Sequence, residues 1–570
     1  MPVEKYQKWR DHKGKLFTPV AIDGLTLISD RILNKGTAFT REERDDFHLD
    51  GLIPPNMQSL EDQKLRVYEG YCAATSDIDR YIYLRSLQDR NETLFYSLIE
   101  EHIEEMLPVI YIPTVVDACA QFSHHYQRAR GLYITNENVH KISAMTHHFP
   151  SHDIEMIVAT DSQGISGMHD IGVGGMAMPI GKLSLYTLGS GIHPSNCLPI
   201  AIDIGTDNEE LLADPLYLGV GHKRIKGEAY DRFLDAFVEN IHQAFPKAIL
   251  QWEDFATHRA FYVFEKFRNT LPSFNDDIQG TGAVTLAGIL NAVKIKNEDL
   301  KDQKFVIFGA GSGGVGFARQ LVIELESRGL SNEEARRKIC LFDSKGCIIQ
   351  GRSNIESFKQ PYAAPADAIG KLEATTDAPT LMDVLKASKA TVLIGMSGQH
   401  NVFKEEHVKA MMENTDRPII FPMSNPSDRC EAMPDDLYRW SEGKAIIALG
   451  SPLASGDQRT EGGRIGIASN SFVFPGVGMA AVISKAKVLS DDFFTSAAHS
   501  LAACVSEKDL SEGAVYPRLK DIQKVGLRSA TEILRHLVKS DPSIGIKEEE
   551  LYDLVQSHVW KPIYFPYRRV

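Results

Sequence analysis

Hydrophobic and polar positions follow different patterns in successive parts of the chain. Residues 1–130 are charged, and their hydrophobic positions recur every three or four residues, as in Leu87–Glu105, which predicts helices. From about Asp153, short apolar runs such as Ile154–Ala159 and Cys197–Asp203 alternate with glycine-rich turns and helical lengths. Such alternation is typical of α/β structure. The chain is therefore expected to begin with helices and to continue as an α/β protein.

The second half of the chain repeats strand-like and helical segments in a regular series. A helix is predicted over Thr281–Val293, and most of the strand-like runs that follow are separated by helical lengths. These runs occupy residues 305–308, 339–342, 391–394, 419–423 and 446–449. The alternation predicts a doubly wound parallel sheet covered by helices.

A glycine-rich turn joins the first of these runs to a helical pattern. It reads Gly309-Ala310-Gly311-Ser312-Gly313-Gly314, with a strand before it and a helix after it, which is the context of a dinucleotide-binding loop. Gly309 would permit the tight turn, Gly311 the approach of the backbone to a pyrophosphate, and Gly314 close packing of helix on strand. The next strand-like run ends at Asp343, whose carboxylate would hold the adenosine ribose hydroxyls.

The residues after Asp343 bear on the choice of cofactor. Asp343 disfavours a 2′-phosphate, whereas Lys345 and Arg352 are close by in sequence and can accept one. We expect NAD, with NADP as the alternative. Together with the strand series, the loop predicts a Rossmann-type dinucleotide-binding domain over residues 280–535. The other predicted segments are a helical N-terminal region over 1–130, an α/β domain over 131–279 and a C-terminal helical extension over 536–570.

Two acidic pairs and one lysine are candidates for catalytic chemistry. Glu253-Asp254 follow an apolar run, and Asp276-Asp277 precede the helix predicted from Thr281. Such pairs can converge at the ends of neighbouring strands, and three carboxylates with water would suit Mg²⁺ or Mn²⁺ better than zinc. Either pair alone also fits a solvated turn or a helix N-cap. Lys182 fits a surface position or, if it is buried near cofactor and metal, a general base.

Composition and charge narrow the class of protein. The 570 residues are 43% hydrophobic and 24% charged, as in ordinary globular proteins of several domains. No run approaches the ~18 to 20 apolar residues of a membrane span, and the net charge of −14 argues against binding to a nucleic-acid backbone. Seven cysteines without zinc-type spacing fit a reducing compartment. We expect a cytoplasmic enzyme that binds neither nucleic acid nor membrane.

Short motifs spread along nearly the whole chain resemble those of the malic enzyme family. They are Leu33–Phe39, Tyr111–Thr114, Arg130–Thr135, Pro179–Leu183, Trp252–Phe255, Phe274–Thr281, Ser424–Pro426 and Ser471–Gly476. The resemblance implies oxidative decarboxylation of L-malate to pyruvate and CO₂ with NAD(P)⁺ and a divalent metal. It also implies a homotetramer assembled from two dimers.

The resemblance further implies a role for individual residues. Lys182 would take the proton of the C2 hydroxyl, Asp276 would orient Lys182, and Tyr111 would protonate C3 to give pyruvate. The implied metal ligands, within a malate- and metal-binding domain over residues 131–279, are Glu253, Asp254 and Asp277. The asparagines that match contacts to substrate and nicotinamide are Asn425 and Asn470.

Two positions depart from the family pattern and keep other functions open. Gly164 stands where the family usually has an arginine that binds the substrate carboxylate, and His169 stands where it usually has a glycine. Loss of the arginine should weaken malate binding by roughly 1.5 to 3 kcal/mol if nothing substitutes for it. In having a glycine at this position, the sequence resembles malolactic enzymes. These enzymes convert malate to lactate with bound NAD and a divalent metal.

Other motifs favour the malic over the malolactic alternative. Tyr111–Thr114, Arg130–Leu132 and Gly450–Pro452 all resemble malic enzymes. A third hypothesis, a non-catalytic protein that binds a dicarboxylate or the cofactor as a regulator, is disfavoured because the catalytic and metal-binding residues are intact. We therefore expect an NAD-dependent malic enzyme.

Overall fold

The computed structural model describes residues 8–10, 13–146, 153–165, 168–369, 379–452, 459–460 and 463–570. The chain divides into two compact units. The described residues within Met1–Ser162, Asp170–Ala248 and His558–Val570 form the first unit, and those within Gln163–His169 and Ile249–Ser557 form the second. Among the described residues, no helix combines the length and the apolar character that a membrane span requires.

The strands and α-helices are numbered in chain order. The strands are β1 (Trp9–Arg10), β2 (Leu16–Val20), β3 (Leu132–Ile134), β4 (Met156–Thr160), β5 (Cys197–Ile202), β6 (Ile249–Trp252), β7 (Ser273–Asn275), β8 (Phe305–Phe308), β9 (Ile339–Asp343), β10 (Gly346–Cys347), β11 (Val392–Gly395), β12 (Ile419–Pro422), β13 (Ile446–Leu449), β14 (Arg459–Thr460), β15 (Gly463–Arg464), β16 (Gly466–Ile467) and β17 (Tyr567–Arg569). The helices are α1 (Gly24–Ser29), α2 (Arg41–Asp46), α3 (Leu60–Ala73), α4 (Asp77–Arg90), α5 (Glu92–Glu101), α6 (Ile103–Ile110), α7 (Thr114–Ala120), α8 (Phe122–His125), α9 (Ile142–Thr146), α10 (Ala177–Ser190), α11 (Glu209–Ala213), α12 (Gly227–Ala244), α13 (Thr257–Phe267), α14 (Thr281–Lys296), α15 (Ser312–Ser327), α16 (Asn332–Arg336), α17 (Leu381–Ala387), α18 (Glu405–Met412), α19 (Pro434–Trp440), α20 (Phe474–Ser484), α21 (Asp491–Ala502), α22 (Glu507–Ser511), α23 (Ile522–Ser540) and α24 (Leu551–His558).

The first unit packs many helices around short parallel strands. β5 pairs in parallel with both β3 and β4. The periodic segment Leu87–Glu105 is helical, as predicted, but it is divided among α4, α5 and α6. The second break is at His102, and the first is at Asn91, whose side-chain oxygen accepts a hydrogen bond from the Leu94 N–H at 2.9 Å and so caps α5.

The end of the chain returns to the first unit and adds a strand to it. β17 pairs in parallel with β2, which pairs in antiparallel fashion with β1. The Tyr567 N–H donates to the buried Glu43 carboxylate at 2.8 Å, and the Lys35 ammonium lies 2.5 Å from the same carboxylate. Burial lowers the pKa of Lys35 more than Glu43 raises it. The last residues of the chain are therefore held by a buried ion pair of the N-terminal region.

The second unit contains a seven-stranded sheet in the order β10-β9-β8-β11-β12-β13-β16. β8 lies between β9 and β11 and is parallel to both, and β10 is antiparallel to β9. The strand order reverses at β8, and ligands of doubly wound sheets bind beyond the carboxyl ends of the strands at such a point. The predicted α/β class and the doubly wound parallel sheet are confirmed.

The predicted strands of this sheet agree with the observed ones to within about one residue. The observed spans β8 and β13 coincide with the predicted runs, and α14 begins at the predicted residue Thr281 and continues to Lys296. The core on one side of the sheet includes Val306, Leu393 and Ile420, all fully buried. These uninterrupted apolar strands are what a sheet covered on both faces requires.

Candidate active site

The three predicted metal ligands lie together in the second unit. Glu253 and Asp254 directly follow β6, and Asp277 lies in a single π-helical turn, Asp276–Gly280, that follows β7. β6 and β7 are parallel neighbours, with Trp252 opposite Asn275, so their carboxyl ends bring the acidic pairs to one edge. One carboxylate oxygen of each residue lies within 4.8 Å of those of the other two.

The chemistry of this carboxylate cluster fits a divalent cation. Glu253 and Asp254 are buried and Asp277 is half-buried. Negative charges gathered at this separation repel one another, and a bound cation offsets that repulsion. Oxygen donors are the ligands that Mg²⁺ and Mn²⁺ prefer.

Hydrogen bonds fix the positions of these carboxylates. The Gln251 side-chain amide donates to Glu253 Oε2 at 2.6 Å, and the Asp254 N–H donates to Asp277 Oδ2 at 2.9 Å. The Asn275 side-chain oxygen accepts from the Ile278 N–H at 3.0 Å, which starts the π-helical turn. The ligands are therefore oriented by the protein itself.

The Asp276 carboxylate lies against Gly280 of this turn, where a Cβ would lie 1.9 Å from Asp276 Oδ1, and it also pairs with a distant asparagine. The Asn470 side-chain amide donates to Asp276 Oδ2 at 2.9 Å and lies 3.1 Å from the Thr281 hydroxyl. Asp276 is fully buried. In this structure Asn470 therefore acts on the orientation of Asp276, in addition to any contact that it makes with the nicotinamide.

The first unit brings Tyr111 and Lys182 together. Lys182 is 1% exposed and lies within α10, every residue of which is buried. Tyr111 ends α6 and is 6% exposed, and the Lys182 ammonium lies 5.4 Å from the centroid of its ring. Gly181 permits this approach, because a Cβ there would lie 3.0 Å from the Ile110 carbonyl oxygen. Lys182 is thus a buried lysine beside a buried tyrosine, and not a surface residue.

The glycine-rich turn borders a cavity of about 420 Å³ in the second unit. Its lining includes Gly309–Gly311, Phe342–Ser344 and Met396. Gly309 has φ +125°, and a Cβ there would lie 2.1 Å from the Met396 carbonyl oxygen; a Cβ on Gly314 would lie 1.8 Å from the Gly309 carbonyl oxygen. α15 begins at Ser312, within this glycine-rich segment, so its N-terminus and the glycine backbone form a cradle that fits a pyrophosphate.

Asp343 lies in the same cavity and pairs with Arg352. The Arg352 guanidinium donates to both carboxylate oxygens of Asp343, at 3.0 Å for Nη1 to Oδ1, and the Lys345 N–H donates to Oδ1 at 2.9 Å. Burial opposes ionisation of Asp343, but these hydrogen bonds outweigh it and hold its pKa below the ordinary value. Arg352 is thus engaged by Asp343, and an ionised Asp343 suits ribose hydroxyls better than a 2′-phosphate.

The sequence analysis missed Glu431, which links two loops of the cofactor region. Its carboxylate, fully buried, accepts hydrogen bonds from the N–H and hydroxyl of Ser397 at 2.7 and 2.8 Å. It also accepts from the N–H and hydroxyl of Ser424, at 3.3 and 2.6 Å. Ser397 lines the cavity, and Ser424 precedes Asn425. A lone acid between the apolar Cys430 and Ala432 was the available signal.

The two positions that depart from the family pattern are close in sequence, on either side of Ile165. Ile165 and His169 form an isolated antiparallel bridge, and the His169 N–H donates to the Ile165 carbonyl at 2.9 Å. His169 has φ +60° and is exposed. The Gly164 N–H donates to the Asp254 carbonyl at 2.7 Å, which places Gly164 against the carboxylate cluster.

Comparisons with known proteins agree over nearly the whole chain. The model of the malic enzyme N-terminal domain matches residues 88–268, and that of the malic enzyme NAD-binding domain matches residues 278–538. The NAD-dependent malic enzyme of Sodalis glossinidius (strain morsitans) is 42% identical over 559 residues, 98% of this chain and 99% of that protein. The NAD-dependent malic enzyme of Acinetobacter baylyi is 40% identical over 98% of each.

Solved structures agree in fold. A malic enzyme of Entamoeba histolytica superposes with a TM-score of 0.55 at 20% identity and covers 90% of both chains. One from Pyrococcus horikoshii superposes with a TM-score of 0.53, also at 20% identity, over 80% of this chain and 89% of that one.

Proposed function

The chain belongs to the malic enzyme family, and from this premise we propose that it converts L-malate to pyruvate and CO₂ with reduction of NAD⁺. The observation that carries the proposal is the match of 98% of the chain to NAD-dependent malic enzymes. The Asp343–Arg352 pair beside the glycine-rich turn supports NAD over NADP.

Each part of the reaction has a candidate group. When bound, a divalent ion supplies a Lewis acid at the substrate oxygens and NAD⁺ supplies the hydride acceptor. Lys182 Nζ accepts the proton of the C2 hydroxyl, and the Tyr111 hydroxyl delivers a proton to C3 after CO₂ has left. Their mutual approach supports a shared task in proton transfer. Glu253, Asp254 and Asp277 hold the metal.

Other residues would position these groups. Asn470 fixes the Asp276 carboxylate, which orients Lys182 in the proposed mechanism. Gly309 and Gly311 cradle the pyrophosphate, Gly314 allows α15 to pack closely on the turn, and Asp343 holds the adenosine ribose. Asn425, which follows the loop tied to Glu431, contacts the substrate or the nicotinamide. Among the described residues, a Cβ on Gly311 would meet only Thr257 Oγ1, at 3.8 Å, which leaves room for a ligand.

We also propose how the chain is organised around this function. Malate and metal would be bound by residues 131–279 and the dinucleotide by 280–535, with 1–130 and 536–570 as helical flanking regions. The protein would act in the cytoplasm as a homotetramer assembled from two dimers, as the family resemblance implies.

A product assay tests the proposed function. Purified protein receives L-malate, Mn²⁺ and either NAD⁺ or NADP⁺, while reduced cofactor, pyruvate and lactate are quantified separately. We expect pyruvate and reduced cofactor in equal amounts, with NAD⁺ the faster cofactor. Lactate without net reduced cofactor would instead establish the malolactic alternative that Gly164 keeps open. If neither product formed, the non-catalytic hypothesis would stand.

A further inference from the structure

Gly164 lies so close to the loop of the metal ligands that no side chain fits there. A Cβ on residue 164 would lie 2.4 Å from the Phe255 carbonyl oxygen and 2.6 Å from its carbonyl carbon. It would also lie 2.9 Å from the Asp254 carbonyl oxygen. These atoms belong to the backbone and cannot move aside as a flexible side chain does, so this conformation requires glycine.

Asp254 is held on both sides of its backbone. Its N–H donates to Asp277 Oδ2 at 2.9 Å, and its carbonyl accepts from the Gly164 N–H at 2.7 Å. Between these bonds Asp254 has φ +54°, in the left-handed region that residues other than glycine rarely adopt. Such a conformation persists only where the surroundings hold it.

We propose that Gly164 is a positioning residue of the metal site. Because it has no side chain, Gly164 can approach the Asp254–Phe255 peptide and donate to the Asp254 carbonyl. This contact holds Asp254 in the conformation that places its carboxylate near those of Glu253 and Asp277. The proposal rests on the proposed function, in which these carboxylates bind the metal. It also explains the absence of an arginine at position 164. In this chain the backbone of residue 164 packs against the backbone of Asp254 and Phe255, and a side chain there would displace them.

The test measures Mn²⁺ binding in the absence of malate and NAD. Free Mn²⁺ is followed by electron paramagnetic resonance for the wild type and for Gly164→Ala, Gly164→Arg, Asp277→Ala and Gly221→Ala. Gly221 is the matched control, because it is exposed and a Cβ there would meet no atom within 4 Å. Gly164→Ala should raise the Mn²⁺ dissociation constant by ~10- to 100-fold, as loss of a group that orients a metal ligand does. Gly164→Arg should raise it at least as much, and Gly221→Ala should leave it unchanged.

Binding of NAD⁺ separates positioning from a general defect. The affinity for NAD⁺ should be unchanged in Gly164→Ala, because the cradle is built from other residues. Wild-type Mn²⁺ affinity in Gly164→Ala, or an equal loss of NAD⁺ and Mn²⁺ affinity, would overturn this inference and leave the metal assignment unaffected. Equal Mn²⁺ affinity in the wild type and Asp277→Ala would show that the metal assignment itself is wrong, and the inference would fall with it.

A second measurement needs no variant at position 164. Hydrogen–deuterium exchange of the wild type should show that Mn²⁺ slows exchange of the Gly164 amide, which donates to the Asp254 carbonyl. The slowing should be lost in Asp277→Ala. Exchange of this amide that does not respond to Mn²⁺ in the wild type would contradict the proposal.

Discussion

The two units of the chain each bury a group of acids, and the groups differ in what surrounds them. In the first unit Asp161 and Asp170 flank the buried guanidinium of Arg224, which donates to both oxygens of Asp170 at 3.0 and 2.7 Å and lies 3.5 Å from Asp161. In the second unit the acids converge on one another within 4.8 Å. This carboxylate cluster comprises Glu253, Asp254 and Asp277.

The difference predicts a structural role for the first group and a functional role for the second. Burial alone would lower the pKa of Arg224, but Asp161 and Asp170 outweigh it and raise that pKa, so the first group carries its own permanent cation. Acids whose oxygens gather near one another instead fit a cation that comes from solution. Burial of charge does not distinguish the two groups, whereas the distances do: the carboxylates of the first group surround Arg224, and those of the second lie within 4.8 Å of one another.

The largest expected effect follows from breaking the carboxylate cluster. Asp277→Ala should lower malate-dependent turnover by about 10³-fold or more, because a Lewis acid at the substrate contributes several kcal/mol to the transition state. The measurement is kcat with and without chelator over a Mn²⁺ titration. If Asp277→Ala retained turnover in chelator, the metal assignment would be wrong.

The next effect concerns the buried lysine of the first unit. Lys182→Ala should lower kcat by ~10²- to 10⁴-fold, the usual contribution of a general base, while NAD⁺ binding survives. Stopped-flow absorbance of reduced cofactor, together with NAD⁺ titration by fluorescence, measures both. Near-normal turnover would refute the role of Lys182 as base.

The parts of the fold and of the candidate site that were predicted are those with a local pattern in the sequence. The sheet strands and the start of α14 follow from apolar runs and turns, and the carboxylate cluster follows from two local motifs that parallel strands bring together. Contacts between residues far apart in sequence left no local pattern. Among them are Asn470 with Asp276 and Arg224 with Asp161 and Asp170, because such pairing depends on tertiary packing. The break in the helical segment at Asn91 was likewise not predicted. The hydrophobic periodicity continues through Asn91, whereas the side chain of Asn91 caps a new helix there.

We expect the acid group of the first unit to affect stability and the carboxylate cluster to affect catalysis. Asp170→Asn leaves the buried Arg224 with less negative charge and should destabilise the folded protein by about 3 kcal/mol at pH 7. Differential scanning calorimetry should show a lower thermal midpoint with unchanged Mn²⁺ affinity. Asp436→Asn, which breaks an exposed ion pair with Arg439, is the control and should cost about 1 kcal/mol or less.

The pH dependence of this effect has a definite sign. Arg224 outweighs burial and holds the pKa of Asp170 below its ordinary value. The contribution of Asp170 is therefore present above the pKa of the unfolded carboxyl, about 3.9, and is lost as pH falls through the lowered folded value. The difference in midpoint between wild type and Asp170→Asn should shrink below about pH 4. A difference that stays constant down to pH 3 would contradict the ion-pair interpretation.

Asp343 combines features of both acid groups, because it pairs with Arg352 and also faces a cavity. Asp343→Ala should raise the KM for NAD⁺ by about 10-fold, since hydrogen bonds to a charged group contribute about 1.5 to 3 kcal/mol. The same change releases Arg352, whose guanidinium can then meet a 2′-phosphate, so the KM for NADP⁺ should fall. Steady-state kinetics with both cofactors measures the ratio, and Arg352→Gln is the matched control, because it removes the cation and should gain no NADP⁺ activity. An unchanged KM ratio in Asp343→Ala would mean that another acid contacts the ribose. The Asp343–Arg352 pair would then have a structural role, like the acids around Arg224 in the first unit.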